Sequence, residues 1–354
     1  MAVIDADTHV DETEDTWEYL LPSERQYRPT CDTDDRDGKR YWTIDGTRFL
    51  RIPRTFENTG TTLEARELKD VKARVADMDR LGVEVQVIYP TVLLLAPAQR
   101  PEVDLAIRRS YNRWVGERCA ESNGRLRWVC QLPAGNMDAA VEEVRWAKAH
   151  GACGIMKKGD PEFGKWPADP YFFPLYEEAQ RLDLPICFHQ GTGMTDIKTG
   201  ADFSLGRFQR LPLSVVNAFY SFVTLSVPQR FPRLRLGFVE AGASWVPYVS
   251  YDLKRRAMKQ PDGGNIDGIK FQVQDDLLAS SRAYVTCQVD EDLPYILQHT
   301  APDQLLVGSD YGHSDPSQEL SFIEGLQRRA NQGDVPPDAI RKITYDNPKA
   351  LYGL

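Results

Sequence analysis

Residues 305–316 read LLVGSDYGHSDP, and this stretch decides the fold. Leu305, Leu306 and Val307 run into Gly308 and Ser309, and Asp310 and His313 follow where a buried strand would open into a loop. A short apolar run bounded by glycine and a polar cluster suits a strand covered on both faces, the usual condition in a parallel sheet. In a (β/α)8 barrel the chemistry sits at the carboxyl ends of the strands, so a carboxylate and an imidazole there read as site residues. The plain alternative is that Asp310 caps the next helix and His313 is a surface loop histidine.

The other end of the chain offers a partner for this stretch. Residues 3–10, VIDADTHV, begin apolar and end in Asp7-Thr8-His9. Residues i and i+2 of a strand share a side, so Asp7 and His9 can converge on one metal ion. Between the two ends the chain alternates. Helical spacing is expected over residues 69–81, 101–122, 137–150, 171–182 and 213–231. Strand-like runs lie at 83–89 (VEVQVIY), 126–132 (LRWVCQL), 154–156, 185–189 (PICFH), 234–240 (LRLGFVE) and 282–287 (RAYVTC). With the first and last stretches these predict an α/β fold, a distorted (β/α)8 TIM barrel, in preference to an open doubly wound sheet. Residues 336–354 read as a closing helical tail. Residues 11–65 break the pattern, and within them 41–50 (YWTIDGTRFL) read as a hairpin turning at Asp45-Gly46. That segment is expected to be an insertion over the barrel mouth, as a lid, a subunit contact or a purely structural excursion. With no repeat and no linker, residues 1–354 are expected to form a single domain.

Composition narrows the partners. The chain has 354 residues, 42% of them hydrophobic, enough for one sizeable core. A net charge of -9 and the absence of any Lys/Arg block argue against nucleic acid. No apolar run approaches the ~18 residues that span a bilayer, and the N-terminus has neither a basic nor an apolar leader segment. A cytoplasmic protein that does not meet the membrane is expected. Cys31, Cys119, Cys130, Cys153, Cys187 and Cys287 form no C-x-x-C pair and read mostly as small buried hydrophobes.

The chain has only five histidines. His150 and His299 fall in or at the end of helical stretches, where a cation is ordinary. His9, His189 and His313 follow predicted strands one, five and eight, and Asp7, Glu240 and Asp310 join them at strand ends. A single histidine is more often structural than a ligand. Three at barrel strand ends, with three carboxylates, reverse that expectation.

These residues carry a family resemblance. The chain resembles the amidohydrolase superfamily, in the branch that includes aminocarboxymuconate-semialdehyde decarboxylase. The matching pieces are Asp7-Thr8-His9, the block from Asp169-Pro170-Tyr171 to His189 ending LPICFHQG, Gly308-Ser309-Asp310-Tyr311, Glu240-Ala241-Gly242-Ala243-Ser244-Trp245, and the tail from Asp346-Asn347-Pro348 to Leu354. The resemblance implies a distorted TIM barrel and a divalent metal held by Asp7, His9, His189 and Asp310. Two departures stand out. Decarboxylases of this branch usually carry a catalytic histidine after strand six, where this chain has Glu240, and many of them lack the counterpart of His313. Six donors exceed what one ion with open positions needs and suit two ions bridged by carboxylate. Mixed carboxylate and imidazole ligation favours Zn, Mn or Fe. In other branches a carboxylated lysine from strand four bridges two metals; Lys157 and Lys158 stand in roughly that place, with a solvated or substrate-binding role as the alternative.

The leading expectation is metal-activated water hydrolysis of a small, carboxylate-bearing substrate, with Asp310, Glu240 and His313 as catalytic groups. The alternatives are a dinuclear Fe or Mn/Fe oxygenase, a non-oxidative decarboxylase, and a metal-binding supporting subunit of a hetero-oligomer. A homo- or hetero-oligomer is expected in each case. Arg51, Arg54, Lys157 and Lys158 are candidates to pair with a substrate carboxylate, and Tyr89, Trp245 and Tyr311 to line its pocket.

Overall fold

The structure, a computed structural model, describes residues 2–95, 98–192, 201–259 and 275–354. The chain opens with β1 (Ile4–His9), then forms a small antiparallel sheet from β2 (Thr30–Thr33), β3 (Arg40–Ile44) and β4 (Thr47–Leu50). Seven further strands follow: β5 (Val85–Tyr89), β6 (Leu126–Gln131), β7 (Ala152–Lys158), β8 (Ile186–His189), β9 (Leu236–Val239), β10 (Ala283–Thr286) and β11 (Leu305–Leu306). With β1 they make one eight-stranded sheet, ordered β1-β5-β6-β7-β8-β9-β10-β11 and parallel throughout. Helices precede or follow these strands in alternation, and the whole is a (β/α)8 TIM barrel.

Closure occurs between the first and last stretches. The Ala6 amide donates to the Val307 carbonyl (3.1 Å), the Asp310 amide to Asp7 (3.0 Å) and the His9 amide to Tyr311 (2.7 Å). The buried Asp5 carboxylate accepts from the Ser309 amide (2.8 Å) and hydroxyl (2.5 Å) across the same seam. The strands touch so closely here that a Cβ on Gly308 would lie 2.4 Å from the Cβ of Asp7. That contact explains why glycine ends the apolar run, and why the regular ladder stops at Leu306.

Two apolar layers flank the sheet. Helices pack on its outer face, while Ala6, Val87, Tyr89, Val129, Met156, Cys187 and Val239 share an inner cluster with Leu351 and Tyr352 of the tail helix Asn347–Tyr352. The Tyr352 hydroxyl donates to the Ala6 carbonyl (2.8 Å) and meets the Tyr89 hydroxyl (2.9 Å). The tail therefore packs into the same inner core as the strands, in addition to ending the chain.

Three elements differ from the sequence-based expectation. The strand expected from residue 83 begins at Val85, because Gly82 (φ 71°) first turns the chain out of the helix Val71–Leu81. The helix expected over 213–231 is two, Pro212–Thr224 and Val227–Arg230, broken at Ser226, which sits at φ 56° ahead of Pro228. The hairpin at Asp45-Gly46 gains a third strand, β2, whose polar sequence TCDT concealed it. All six cysteines are free. Among the described residues no helix is long and apolar enough to cross a membrane.

Gly308→Ala is expected to cost roughly 2–3 kcal/mol by forcing the seam apart. Chemical denaturation checks this; an unchanged midpoint would show that the seam can yield.

Candidate metal centre

The closed seam puts Asp7 and His9 of β1 beside Asp310 and His313, and β8 and β9 add His189 and Glu240. The Nε2 of His9 lies 3.4 Å from Asp7 Oδ1 and 3.2 Å from Asp310 Oδ1. The Nε2 of His189 lies 3.2 Å from Asp7 Oδ1 and 3.3 Å from Glu240 Oε2. His313 Nδ1 stands 2.8 Å from Asp310 Oδ1 and 3.9 Å from Asp315 Oδ2. All six expected donors are thus brought together and buried. Asp315, which the sequence reading missed, joins them. Its signal was the spacing: His313 and Asp315 are two residues apart, as Asp7 and His9 are.

Local structure aims these side chains. Glu240 (φ 64°) and Asp310 (φ 51°) both hold left-handed backbone, a conformation that non-glycine residues keep only where surroundings impose it. The Glu240 amide donates to Thr286 Oγ1 (2.8 Å) and that of Asp310 to Asp7, fixing both turns. Each histidine is tied through the nitrogen that faces away from the carboxylates. His9 Nδ1 meets the Pro90 carbonyl (2.7 Å), His189 Nδ1 the Gln190 carbonyl (2.8 Å), and His313 Nε2 the Thr91 hydroxyl (3.0 Å). A carbonyl only accepts, so Nδ1 of His9 and of His189 carries the hydrogen. In the neutral ring Nε2 is then a bare lone pair pointed at carboxylate oxygens. Arg74, buried beneath, donates to the His9 carbonyl (2.9 Å) and stacks 3.7 Å from the centre of the Tyr311 ring.

Lone pairs facing carboxylates call for a positive charge between them. Either a proton or a metal ion meets that need, and the geometry fits the metal. Two ligands bound at about 2.1 Å to one ion stand about 3.0–3.4 Å apart, close to the separations just given. His9 Nε2, His313 Nδ1 and both Asp310 oxygens are buried with no hydrogen-bond partner. Holding the outer nitrogen and leaving the inner one free is the usual arrangement of metal-binding histidines.

Without an ion the charges distribute unevenly. Burial would raise Asp7, but the charges and hydrogen bonds of His189 and His9 outweigh it and hold that carboxyl below the ordinary range. Burial would lower His189, yet the Asp7 and Glu240 carboxylates push it up to about 9. Burial pushes Glu240 up to about 8 against the pull of His189. Asp310 is raised well above the usual carboxylate range by burial and then by Glu240, Asp315 and Asp7. Burial lowers His9 and, more strongly, His313.

The donor set opens on a cavity of about 480 Å³. Glu240, His313, Asp315 and Ser317 form one side, Leu94, Leu211, Pro212 and Phe208 an apolar side, and Arg54, Arg207 and Gln190 complete the lining. Ile52 and Arg54 come from the segment 11–65. Arg54 is steadied by Asp11 (2.9 Å), which also accepts from buried Arg66 (3.0 Å).

Other expected participants lie elsewhere. Lys157 pairs with Glu162 (2.5 Å) over the Phe172 ring, and Lys158 donates to the Thr192 carbonyl (2.7 Å). Neither stands among the donors or lines the cavity, because both ammonium groups are spent on other partners. Arg51 pairs with Glu67 (3.1 Å) outside the cavity. Tyr89, Trp245 and Tyr311 do not line it either. Tyr89 packs against His189 with the rings tilted and their centres 4.7 Å apart, Trp245 packs on Phe219, and Tyr311 donates to Asp77.

Comparison with known proteins agrees with the barrel fold. Residues 4–354 match the family model described as amidohydrolase. The chain belongs to the amidohydrolase family. A 2-amino-3-carboxymuconate-6-semialdehyde decarboxylase of Dictyostelium discoideum is 22% identical over 54% of this chain and 53% of its own length. A gamma-resorcylate decarboxylase of Rhodococcus jostii is 27% identical over 36% of this chain and 41% of its own. The chain spans about half the length of the curated relatives it matches. Among solved structures, an amidohydrolase from Mycobacterium avium subsp. paratuberculosis superposes with TM-score 0.76 at 20% identity, covering 99% of both chains. A 5-carboxyvanillate decarboxylase from Novosphingobium aromaticivorans, complexed with manganese, gives TM-score 0.70 at 15% identity, covering 100% of this chain and 96% of that one. This amidohydrolase-family chain thus shares its barrel with a manganese-bound neighbour.

His189→Ala and His9→Ala are each expected to weaken Mn²⁺ binding by more than the ~100-fold that loss of an outer partner can cost. Titration of metal-stripped protein measures it; full affinity in either variant would remove that histidine from the donor set.

Proposed function

We propose that this enzyme removes carbon dioxide, without an oxidant, from a small carboxylated ring or dienoic acid, using a divalent metal held by the donor set. The observation that carries the reading is that the buried donors Glu240 and His313 line a cavity that also holds apolar residues and two arginines, Arg54 and Arg207, of the right kind for an anion. The relatives add support: those named above are decarboxylases of carboxylated substrates, and one solved neighbour binds manganese. They favour this chemistry over the metal-activated hydrolysis expected from the sequence.

A bound divalent ion would supply Lewis-acid polarisation of the substrate oxygens. The protein's own residues do the rest. Leu94, Leu211 and Pro212 hold the apolar part of the substrate, and Arg54 pairs with an acidic group on it. When the carbon–carboxyl bond breaks, its electron pair stays on the substrate carbon, and a proton must replace the departing carbon dioxide. Glu240 lines the cavity just after β9, and we assign it that proton transfer.

A second reading, hydroxylation by O2 at a dinuclear centre, draws on the surplus of donors around Asp310. Anaerobic assay of the Mn²⁺-loaded protein on hydroxylated aromatic acids separates the two. Carbon dioxide release is expected without O2, and Glu240→Gln should lower kcat by about 10²-fold or more. Turnover that requires O2 and yields a hydroxylated product would select the second reading instead.

A further inference from the structure

We propose that Glu12 is a positioning residue: it fixes the loop of residues 90–92, and that loop in turn aims His9 and His313 at the donor set. The inference rests on the metal reading of the site and is independent of which reaction the site runs. Its first support is where Glu12 stands. The neighbouring strands β1 and β5 end together, with His9 opposite Tyr89 as their last pair. Beyond that pair the ladder stops, and a side chain bridges the gap. Glu12, 1% exposed, accepts from the Thr91 amide at both carboxylate oxygens (3.1 and 3.2 Å) and from the Val92 amide (2.9 Å).

The second support is what Glu12 lacks. Its neighbour Asp11 pairs with Arg54 and Arg66, whereas among the described residues no lysine, arginine or histidine forms an ion pair with Glu12. A buried carboxylate without a cation is costly, and here main-chain amides offset the cost. Burial pushes the carboxyl up to about 7, and the Val92 and Thr91 amides pull it back. Side chain and loop therefore hold each other. Truncating Glu12 leaves two amides without this acceptor, and the loop must move to find another.

The third is what the loop touches. The Pro90 carbonyl accepts from His9 Nδ1 (2.7 Å), and the Thr91 hydroxyl meets His313 Nε2 (3.0 Å). The two rings stack with centres 3.7 Å apart, so a shift of one is passed to the other. Both face the donor set through the opposite nitrogen. His189 differs: its Nδ1 is tied to the carbonyl of its own neighbour, Gln190, and owes nothing to the loop. That difference supplies an internal control.

The test reads the rings and the metal separately. In metal-stripped full-length protein with ¹⁵N-labelled histidine, the ring Nδ1–H of His9 is expected to be protected from exchange with water. Glu12→Ala should lose this protection while His189 keeps its wild-type behaviour. Titration with Mn²⁺ should show about 10- to 100-fold weaker binding in Glu12→Ala, the loss an outer partner typically costs. Glu12→Gln, whose amide oxygen can accept from the same two groups, should recover most of it. Thr91→Val removes only the hydroxyl on His313, so adding it to Glu12→Ala should cost less than the sum of the two losses. A folded Glu12→Ala protein that melts earlier but keeps both Mn²⁺ affinity and His9 protection overturns the proposal, as does a double variant whose losses simply add. Wild-type protein in which the His9 Nδ1–H exchanges as fast as that of exposed His299 overturns it whether or not the variants fold. Wild-type protein that binds no Mn²⁺ defeats the metal reading, and the exchange comparison then decides the part of Glu12 alone.

Discussion

Three main-chain hydrogen bonds between residues 6–9 and 307–311 carry the architecture of the site. They join the two ends of the sheet, and they set Asp7 and His9 against Asp310 and His313, which are some three hundred residues away along the chain. The close approach demands Gly308, and the buried Asp5–Ser309 contact locks it. The same constraint makes β11 short: the chain leaves the ladder early so that Asp310 can turn through left-handed backbone into the barrel mouth. Barrel closure and assembly of the site are therefore one structural event.

Closure creates an electrostatic problem that the protein alone leaves unsolved. It gathers carboxylates and imidazoles in a place shielded from water, where an unpaired charge is expensive. The tethers on the outer nitrogens of His9 and His189 prevent those rings from turning away. Protons can neutralise part of the set, which is why Glu240 and Asp310 hold theirs to unusually high pH when no ion is bound. A divalent cation neutralises it better, because it satisfies the lone pairs that hydrogen bonds do not reach. Left-handed backbone at Glu240 and Asp310 is the conformational cost of this arrangement, and it falls where function is expected to concentrate strain.

Much of this was legible in the sequence. Period-two and helical spacing revealed the alternation, and with it the barrel, because buried parallel strands leave strong apolar runs. The histidines at strand ends stood out since so few exist in the chain, and the family resemblance is matched over residues 4–354. What stayed hidden depended on contacts between distant segments. Asp315 looked like a loop residue until His313 was placed beside Asp310. Lys157 and Lys158 sit at the end of a strand, yet their side chains are consumed by Glu162 and the Thr192 carbonyl. Tyr89 and Tyr311 lie at a strand end and just past the last strand, and point into the packing around the donors instead of the cavity. Strand position locates a residue to within a neighbourhood; which way its side chain points, and what else competes for it, is settled only by packing.

Side chains from β1 and β8 are proposed to hold a cation between them. An anomalous-difference map from crystals soaked in Mn²⁺, recorded near the manganese absorption edge, tests it most directly. A peak within bonding distance of Asp7, His9 and His189 is expected. A map with no peak among these residues at saturating Mn²⁺, while the barrel is intact, would contradict it.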